Sequence, residues 1–307
     1  MPSAIEATRL LLLGDLHLFS LWPAPWHMAS KRILGQTNLW LNRRKAFQHH
    51  RLQELVEKAI GLQPDLVLCS GDLTTTALRG EFETAKRFLE PLAECVPIVA
   101  VPGNHDKYTF HAARSNRMQR ILPGWVPAAF PHTQPINVGW DLLALDAAIP
   151  RIKDAVGRLG RVQLEAIATT LEQRDPSRGL VVLCHYPCVV PPGIHEHASH
   201  KLADGPALRT MLEKHTQRGA RVVYIHGHIH HPWFVQPATG PPPEEVAAGL
   251  DAAGDFGDRS GGVPFTCINA GAPCMVSPEF PHGQGFGELV LPNDPTAALV
   301  VRRHALD

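Results

Sequence analysis

Five times along this chain an apolar run stops abruptly at a turn bearing a carboxylate, a carboxamide or an imidazole. The runs are residues 8–13, 66–70, 96–101, 179–184 and 221–225. The turns after them carry Asp15-x-His17, Gly71-Asp72, Gly103-Asn104-His105-Asp106, His185 and Gly227-His228-x-His230. Short runs that are apolar throughout fit strands buried on both faces. Between them lie stretches with helical spacing: 44–60 through Phe47, Leu52, Leu55, Val56, Ala59 and Ile60, then 81–94, 161–173 and 203–216. Strands that alternate with helices predict a layered α/β fold with mostly parallel sheet. Such sheets gather functional groups at the carboxyl ends of their strands, so a polar set found at strand exits converges in space.

Bulk properties narrow the class. A chain of 307 residues with 44% hydrophobic and 19% charged residues suits a soluble globular protein with a large core. Lys+Arg and Asp+Glu balance at 29 each, so no overall basic field points to nucleic acid. Cys69, Cys184 and Cys267 lie within apolar runs, and none of the six cysteines forms a C-x-x-C pair. They read as reduced core thiols, which favours a cytoplasmic location. The apolar stretch at the start of the chain is too short to span a membrane and is read as a buried first strand, not a signal peptide.

One domain over 1–307 is expected, with three excursions. Residues 19–45 form a basic-apolar insertion directly after Asp15-x-His17; within it, 31–45 joins five basic residues to Ile33, Leu34, Leu39, Trp40 and Leu41. It reads either as a helix packed on the core with snorkelling Lys and Arg, or as a flap for a membrane or an acyl, anionic substrate. On the second reading Trp40, Arg43 and Arg44 contact substrate. Residues 107–138 are irregular and read as a cap-like excursion over the site. Residues 237–262, rich in Pro, Gly, Ala and acidic side chains, read as a mobile loop. Strands are also expected at 140–147 and at 263–268, 286–291 and 298–302.

The strand-exit donors are carboxylates, one carboxamide and imidazoles. That mixed oxygen and nitrogen set suits Mn, Fe, Zn, Ni or Co and is poor for Ca. The ordered set closely resembles the calcineurin-like metallophosphoesterase superfamily, whose motifs run D-x-H, GD, GNH[DE], H and GHxH. The resemblance covers residues 10–230 plus the closing strands, and all five motifs are intact. It implies a four-layer αββα sandwich with mixed, mostly parallel sheets, and two divalent ions about 3.5–4 Å apart. Carried over motif by motif, Asp15, His17, Asp72 and His230 would hold one ion. Asp72, Asn104, His185 and His228 would hold the other. His105 would be the general acid, with Asp106 supporting it. No tyrosine follows Gly71-Asp72, where purple acid phosphatases carry one, so Mn is favoured, with Fe, Zn, Ni, Co and Mg as alternatives.

The implied reaction is hydrolysis of a phosphodiester or pyrophosphate by a metal-bridging hydroxide. Two divalent ions less the two carboxylates of Asp15 and Asp72 leave a charge of about +2, which attracts phosphate. The basic insertion is similar to the branch that cleaves UDP-diacylglucosamine, making a lipid-linked nucleotide the first substrate expectation, with peripheral membrane contact through 31–45. Gly103-Asn104-His105-Asp106 together with His185-Tyr186-Pro187 is similar to class III cyclic nucleotide phosphodiesterases, which makes cyclic AMP the second. A nuclease or a non-catalytic metal-binding scaffold stands behind both. His195 and His197 lie in a polar loop near the expected site, exposed on the plainer reading and touching substrate on the functional one.

Overall fold

The computed structural model describes residues 7–20, 32–33, 46–190, 196–237, 245–246, 263–276 and 284–306. Its first strand, β1 (Ala7–Leu13), shows how the chain fills two cores at once. Leu10 and Leu12 face one layer and Leu11 and Leu13 the other, because successive side chains of a strand point to opposite sides. An unbroken leucine run is therefore what a doubly covered strand requires.

After a 3-10 turn at His49–Arg51 come α1 (Leu52–Gly61), β2 (Leu66–Cys69), α2 (Arg79–Cys95) and β3 (Ile98–Ala100). The short helices α3 (Phe110–Arg114) and α4 (Arg117–Ile121) lead to β4 (His132–Pro135) and β5 (Trp140–Ala144). Then follow α5 (Gly160–Gln173), β6 (Gly179–Leu183), α6 (Gly205–Gln217), β7 (Val222–His226) and β8 (Trp233–Val235). Strands β9 (Glu245–Val246), β10 (Thr266–Asn269), β11 (Gly285–Pro292) and β12 (Val300–Ala305) complete two sheets. Their orders are β3-β2-β1-β11-β12-β9 and β4-β5-β6-β7-β10-β8. Both sheets mix parallel and antiparallel neighbours, with β1-β2-β3 and β5-β6-β7-β10 parallel.

Leu10, Leu68, Leu142, Val181, Val223, Ile268 and Leu289 meet between the sheets. The first sheet's outer face packs on α1 and α2, the second's on α5 and α6. That is the expected four-layer αββα sandwich. Both parallel blocks end at one edge, where the polar turns lie.

Several local expectations change. The spacing expected over 44–60 is broken at Phe47, which bridges to Met275, and at Gln48, whose N donates to Cys274 O; α1 itself runs from Leu52. Helical spacing continued through Phe47 because that ring is buried, but against the site and not on the helix face. Strand β8 was not foreseen: three residues directly after a polar motif carry no period of their own. In 107–138, Ala112, Met118, Leu122 and Val126 bury against the α1–α2 layer. Most of 237–262 lies outside the described residues, but its residues 245–246 form β9 against β12. Among the described residues no helix is long and apolar enough to cross a membrane, and all six cysteines are free thiols.

One buried histidine ties stability to pH. His215 on α6 is 1% exposed and accepts from Arg174 Nη1 at 3.2 Å, so it is neutral. Burial, then the charges of Arg174 and Arg218, push it from 6.5 to about 4. The unfolded chain binds this proton and the native one does not. The stabilisation is therefore complete above pH 6.5 and is lost as pH falls toward about 4. His215→Gln is expected to flatten the stability–pH slope in that window by up to about one proton, read from denaturant midpoints. An unchanged slope would remove His215 from the acid response.

Candidate metal centre

Three of the five strand exits reverse the chain sharply. Asp15 (φ 52°), His17 (48°), Asp72 (52°), His228 (73°) and His230 (63°) all adopt left-handed backbone conformations. For residues with a Cβ this costs about 1–3 kcal/mol apiece and persists where surrounding contacts enforce it. Here the contacts are interlocked backbone bonds between turns. Asp15 N donates to Gly71 O (2.8 Å), His17 N to Asp72 O (2.9 Å) and Gly227 N to His185 O (3.1 Å).

These turns bring two donor groups together, each with its ligand atoms within 4.8 Å of one another: Asp15, His17, Asp72 and His230, and Asp72, His185 and His228. His17 Nε2 lies 3.6 Å from Asp72 Oδ2, 3.9 Å from Asp15 Oδ1 and 2.8 Å from His230 Nε2. His185 Nε2 lies 3.4 Å from Asp72 Oδ2, 3.2 Å from His228 Nδ1 and 3.1 Å from Asn104 Oδ1. All seven expected ligands thus meet, and Asp72 belongs to both groups.

The outer nitrogens decide which atoms face inward. His185 Nδ1 is 2.8 Å from Ser70 O, and His228 Nε2 is 2.7 Å from His200 O. A carbonyl only accepts, so these nitrogens carry the hydrogens and His185 Nε2 and His228 Nδ1 present lone pairs. Lone pairs and carboxylate oxygens crowded at such distances repel one another unless a proton or a cation lies among them. The donor set therefore fits divalent metal ions.

The electrostatics of the protein side draw protons to the same place, protons that bound cations would displace. Burial would raise Asp72, but His185, His105 and His17 hold it well below the usual carboxylate range. Burial and the charge of Asp72 raise Asp15 to about 8. His185 would be lowered by burial, yet Asp72 and Asp15 lift it to about 9. Burial, then His185 and His230, hold His228 well below the ordinary imidazole value.

His105 is half-buried beside these groups. Its backbone N donates to Asp72 Oδ1 (2.7 Å), and its Nδ1 lies 2.6 Å from Thr75 O. The ring meets His17 edge-on at 4.7 Å and stacks on Tyr108 at 5.6 Å and 19°. Asp106 does not touch the His105 ring. Its carboxylate accepts from Gly103 N (3.0 Å), Thr74 N (3.0 Å) and Thr74 Oγ1 (3.0 Å), so it fastens the Gly71-Asp72 turn to the Gly103-Asn104 turn. Burial and Asp72 push it to about 7.

Sequence reasoning missed Thr74, Thr75 and Phe47, whose ring packs 5.0 Å from His17 and 6.0 Å from His230. The run Thr74-Thr75-Thr76 after Gly71-Asp72 was the available signal. Of the expected substrate contacts, Trp40, Arg43, Arg44 and His195 lie outside the described residues. His197 is exposed and 2.7 Å from Ser199 Oγ through Nδ1.

Close approach explains one glycine. A Cβ on Gly227 would stand 2.3 Å from Asp15 Oδ2. Gly227→Ala is expected to displace that carboxylate and weaken binding at the Asp15 group more than tenfold, read by metal titration of the folded protein. Wild-type affinity would show that the turn tolerates the methyl.

The sequence profile of the family described as calcineurin-like phosphoesterase matches residues 8–232. Over 167 residues the chain is 32% identical to a "probable cyclic nucleotide phosphodiesterase" of Synechococcus sp., covering 54% of this chain and 58% of that protein. Among solved structures it resembles the purple acid phosphatase PPD1 of yellow lupin (Lupinus luteus) seeds, with TM-score 0.57 and 14% identity over 99% of this chain and 55% of that one. It also resembles PhoD, with TM-score 0.55 and 10% identity over 95% and 65%. The chain therefore spans 55–65% of the length of these three proteins, and the two structural likenesses bear on fold alone. With the profile matched across all five strand-exit turns, this chain belongs to the calcineurin-like phosphoesterase family.

Proposed function

We propose that the chain is a metal-dependent phosphoester hydrolase acting on a nucleotide phosphodiester, with cyclic nucleotides as the substrate class. The observation that carries this reading is the position of Asp72, one buried carboxylate common to two donor groups. Asp15, His17, Asp72 and His230 would hold one divalent ion, and Asp72, Asn104, His185 and His228 the other. When bound, such a pair supplies an electrophilic field for phosphate and a water acidified toward neutral pH. Mn is the favoured ion, since no tyrosine follows Gly71-Asp72 in the run Leu73-Thr74-Thr75-Thr76.

The chain's own groups do the rest. Ser70 O and His200 O fix the tautomers of His185 and His228. Asp106 keeps the two central turns in register. His105 is anchored through Nδ1 to Thr75 O, and in its imidazolium form its Nε2 would donate a proton to the departing oxygen.

The named activity of the Synechococcus relative supports a cyclic nucleotide. The lipid-linked alternative rested on basic residues within 31–45. Of these, Arg32 is buried and donates to Thr76 O (3.0 Å) and Ala77 O (3.3 Å), so it is spoken for by the fold.

The test is turnover by chelated protein reloaded with Mn, Fe, Zn, Ni, Co or Mg. Cyclic AMP, bis(p-nitrophenyl) phosphate, UDP-diacylglucosamine and plasmid DNA are the substrates. Metal-dependent hydrolysis of cyclic AMP and bis(p-nitrophenyl) phosphate is expected. UDP-diacylglucosamine as the sole natural substrate, with liposome binding lost in a Lys31/Arg43/Arg44 charge-removed variant, would move the assignment to the lipid-linked nucleotide. Two bound ions without turnover of any substrate would leave a scaffold.

A further inference from the structure

At the ends of β7, β10 and β8 three polar side chains stand level. His226 is paired across the ladder with Asn269, and Asn269 with Trp233. Residues at one register project to the same side of a sheet, here the side covered by α5 and α6. All three are 0% exposed. His226 and Trp233 belong to strands two places apart, roughly 10 Å at the backbone. Their rings nevertheless approach to 4.8 Å between centroids, so both lean in over Asn269.

The hydrogen-bonding valences of this trio are defined. His226 Nδ1 lies 2.9 Å from Gly227 O, so Nδ1 carries the hydrogen and Nε2 presents a lone pair. Asn269 Oδ1 accepts from Gly271 N at 2.9 Å, which leaves Nδ2 as a donor directed elsewhere. Trp233 Nε1 can only donate. His226 Nε2, Asn269 Nδ2 and Trp233 Nε1 are all sealed from solvent and have no hydrogen-bond partner among the described residues. Ladder register and the ring contact thus place one acceptor and two donors on one buried stretch of sheet, where unpaired polar groups are disfavoured. A cation there would face two N–H groups, and an anion would face the imidazole lone pair. Only a species that both donates and accepts satisfies all three.

We infer that His226, Asn269 and Trp233 bind one buried water, which donates to His226 Nε2 and accepts from Asn269 Nδ2 and Trp233 Nε1. Three bonds is the usual complement of an internal water. This water joins the two segments that carry the outer imidazoles. His226 leads directly into Gly227-His228-x-His230, while the Asn269–Gly271 turn continues to Ala272, whose N donates to His230 O at 3.3 Å. The three side chains are thereby positioning residues for His228 and His230. That second role rests on the proposal that these histidines hold metal; the water itself does not.

The experiment is an atomic-resolution crystal structure of the full chain, paired with calorimetric Mn titration of His226→Phe, His226→Gln and Trp233→Phe. An ordered water within hydrogen-bond distance of all three atoms is expected in the wild type. A side chain from elsewhere in the sequence at that position, or an apolar contact without density, overturns the assignment. His226→Phe is expected to lose the water and to bind Mn about tenfold more weakly. His226→Gln, which restores an acceptor, should recover most of that affinity. If the water is lost and Mn affinity is unchanged, the positioning role fails while the water site stands. Trp233→Phe keeps an aromatic ring, though a smaller one than indole, and removes one donor, so it gives the same readout should the His226 variants not fold. Loss of metal binding in the wild type itself would count against the proposed function and not against the water.

Discussion

Asp72→Asn is expected to fold, to hold fewer than two divalent ions, and to lose nearly all phosphodiester hydrolysis. Asparagine keeps the volume and one carbonyl-type oxygen, so the 2.7 Å bond from His105 N survives. The packing of Gly103 against this side chain also survives, at a place where even a Cβ would stand 2.1 Å from Asp72 Oδ1. What disappears is the negative charge common to both donor groups. A carboxamide cannot neutralise two cations, and its nitrogen repels whichever ion it faces. Two-metal stabilisation is worth several kcal/mol, so a loss on the order of 10³-fold or more is expected. Metal content by mass spectrometry, circular dichroism for the fold and turnover of bis(p-nitrophenyl) phosphate check it together. Two ions and near-native turnover in this variant would end the case for a shared carboxylate.

His105→Asn separates binding from chemistry. Neither donor group includes His105, and its Nδ1 is already committed to Thr75 O. Both ions should therefore remain, while turnover falls by about 10²–10⁴, the scale of a lost general acid. The deficit should depend on the leaving group. A nitrophenolate departs without a proton, whereas the ribose oxygen of a cyclic nucleotide requires one. The loss with cyclic AMP should thus exceed that with bis(p-nitrophenyl) phosphate. Equal losses would recast His105 as a hydrogen-bond donor to the phosphate; an unchanged rate would remove it from the mechanism.

Much of the fold was legible because its signals are local. Apolar runs such as Leu10-Leu11-Leu12-Leu13 need covering on both faces, and helical spacing over 81–94 marks a helix that the structure extends to Arg79–Cys95. The failures have the opposite character. Phe47 looks like one more helical apolar residue until the ring of His17 is placed 5.0 Å away. Trp233–Val235 becomes a strand only because β10 offers it an edge. Asp106 reads naturally as the neighbour of His105, yet its partners are Thr74 and Gly103, the first of them more than thirty positions earlier.

The order and chemical nature of the donors were set by the sequence alone, since a glycine turn after a buried strand can be recognised without knowing what lies opposite. Which donors face one another, which nitrogen of each imidazole carries the hydrogen, and why Asp15, His17, Asp72, His228 and His230 accept left-handed backbone were decided only in three dimensions. The reason is physical: those properties depend on carbonyls such as Ser70 O, Thr75 O and His200 O, brought close where neighbouring strands of one sheet end together and the two sheets meet. No periodicity within a single segment records that approach.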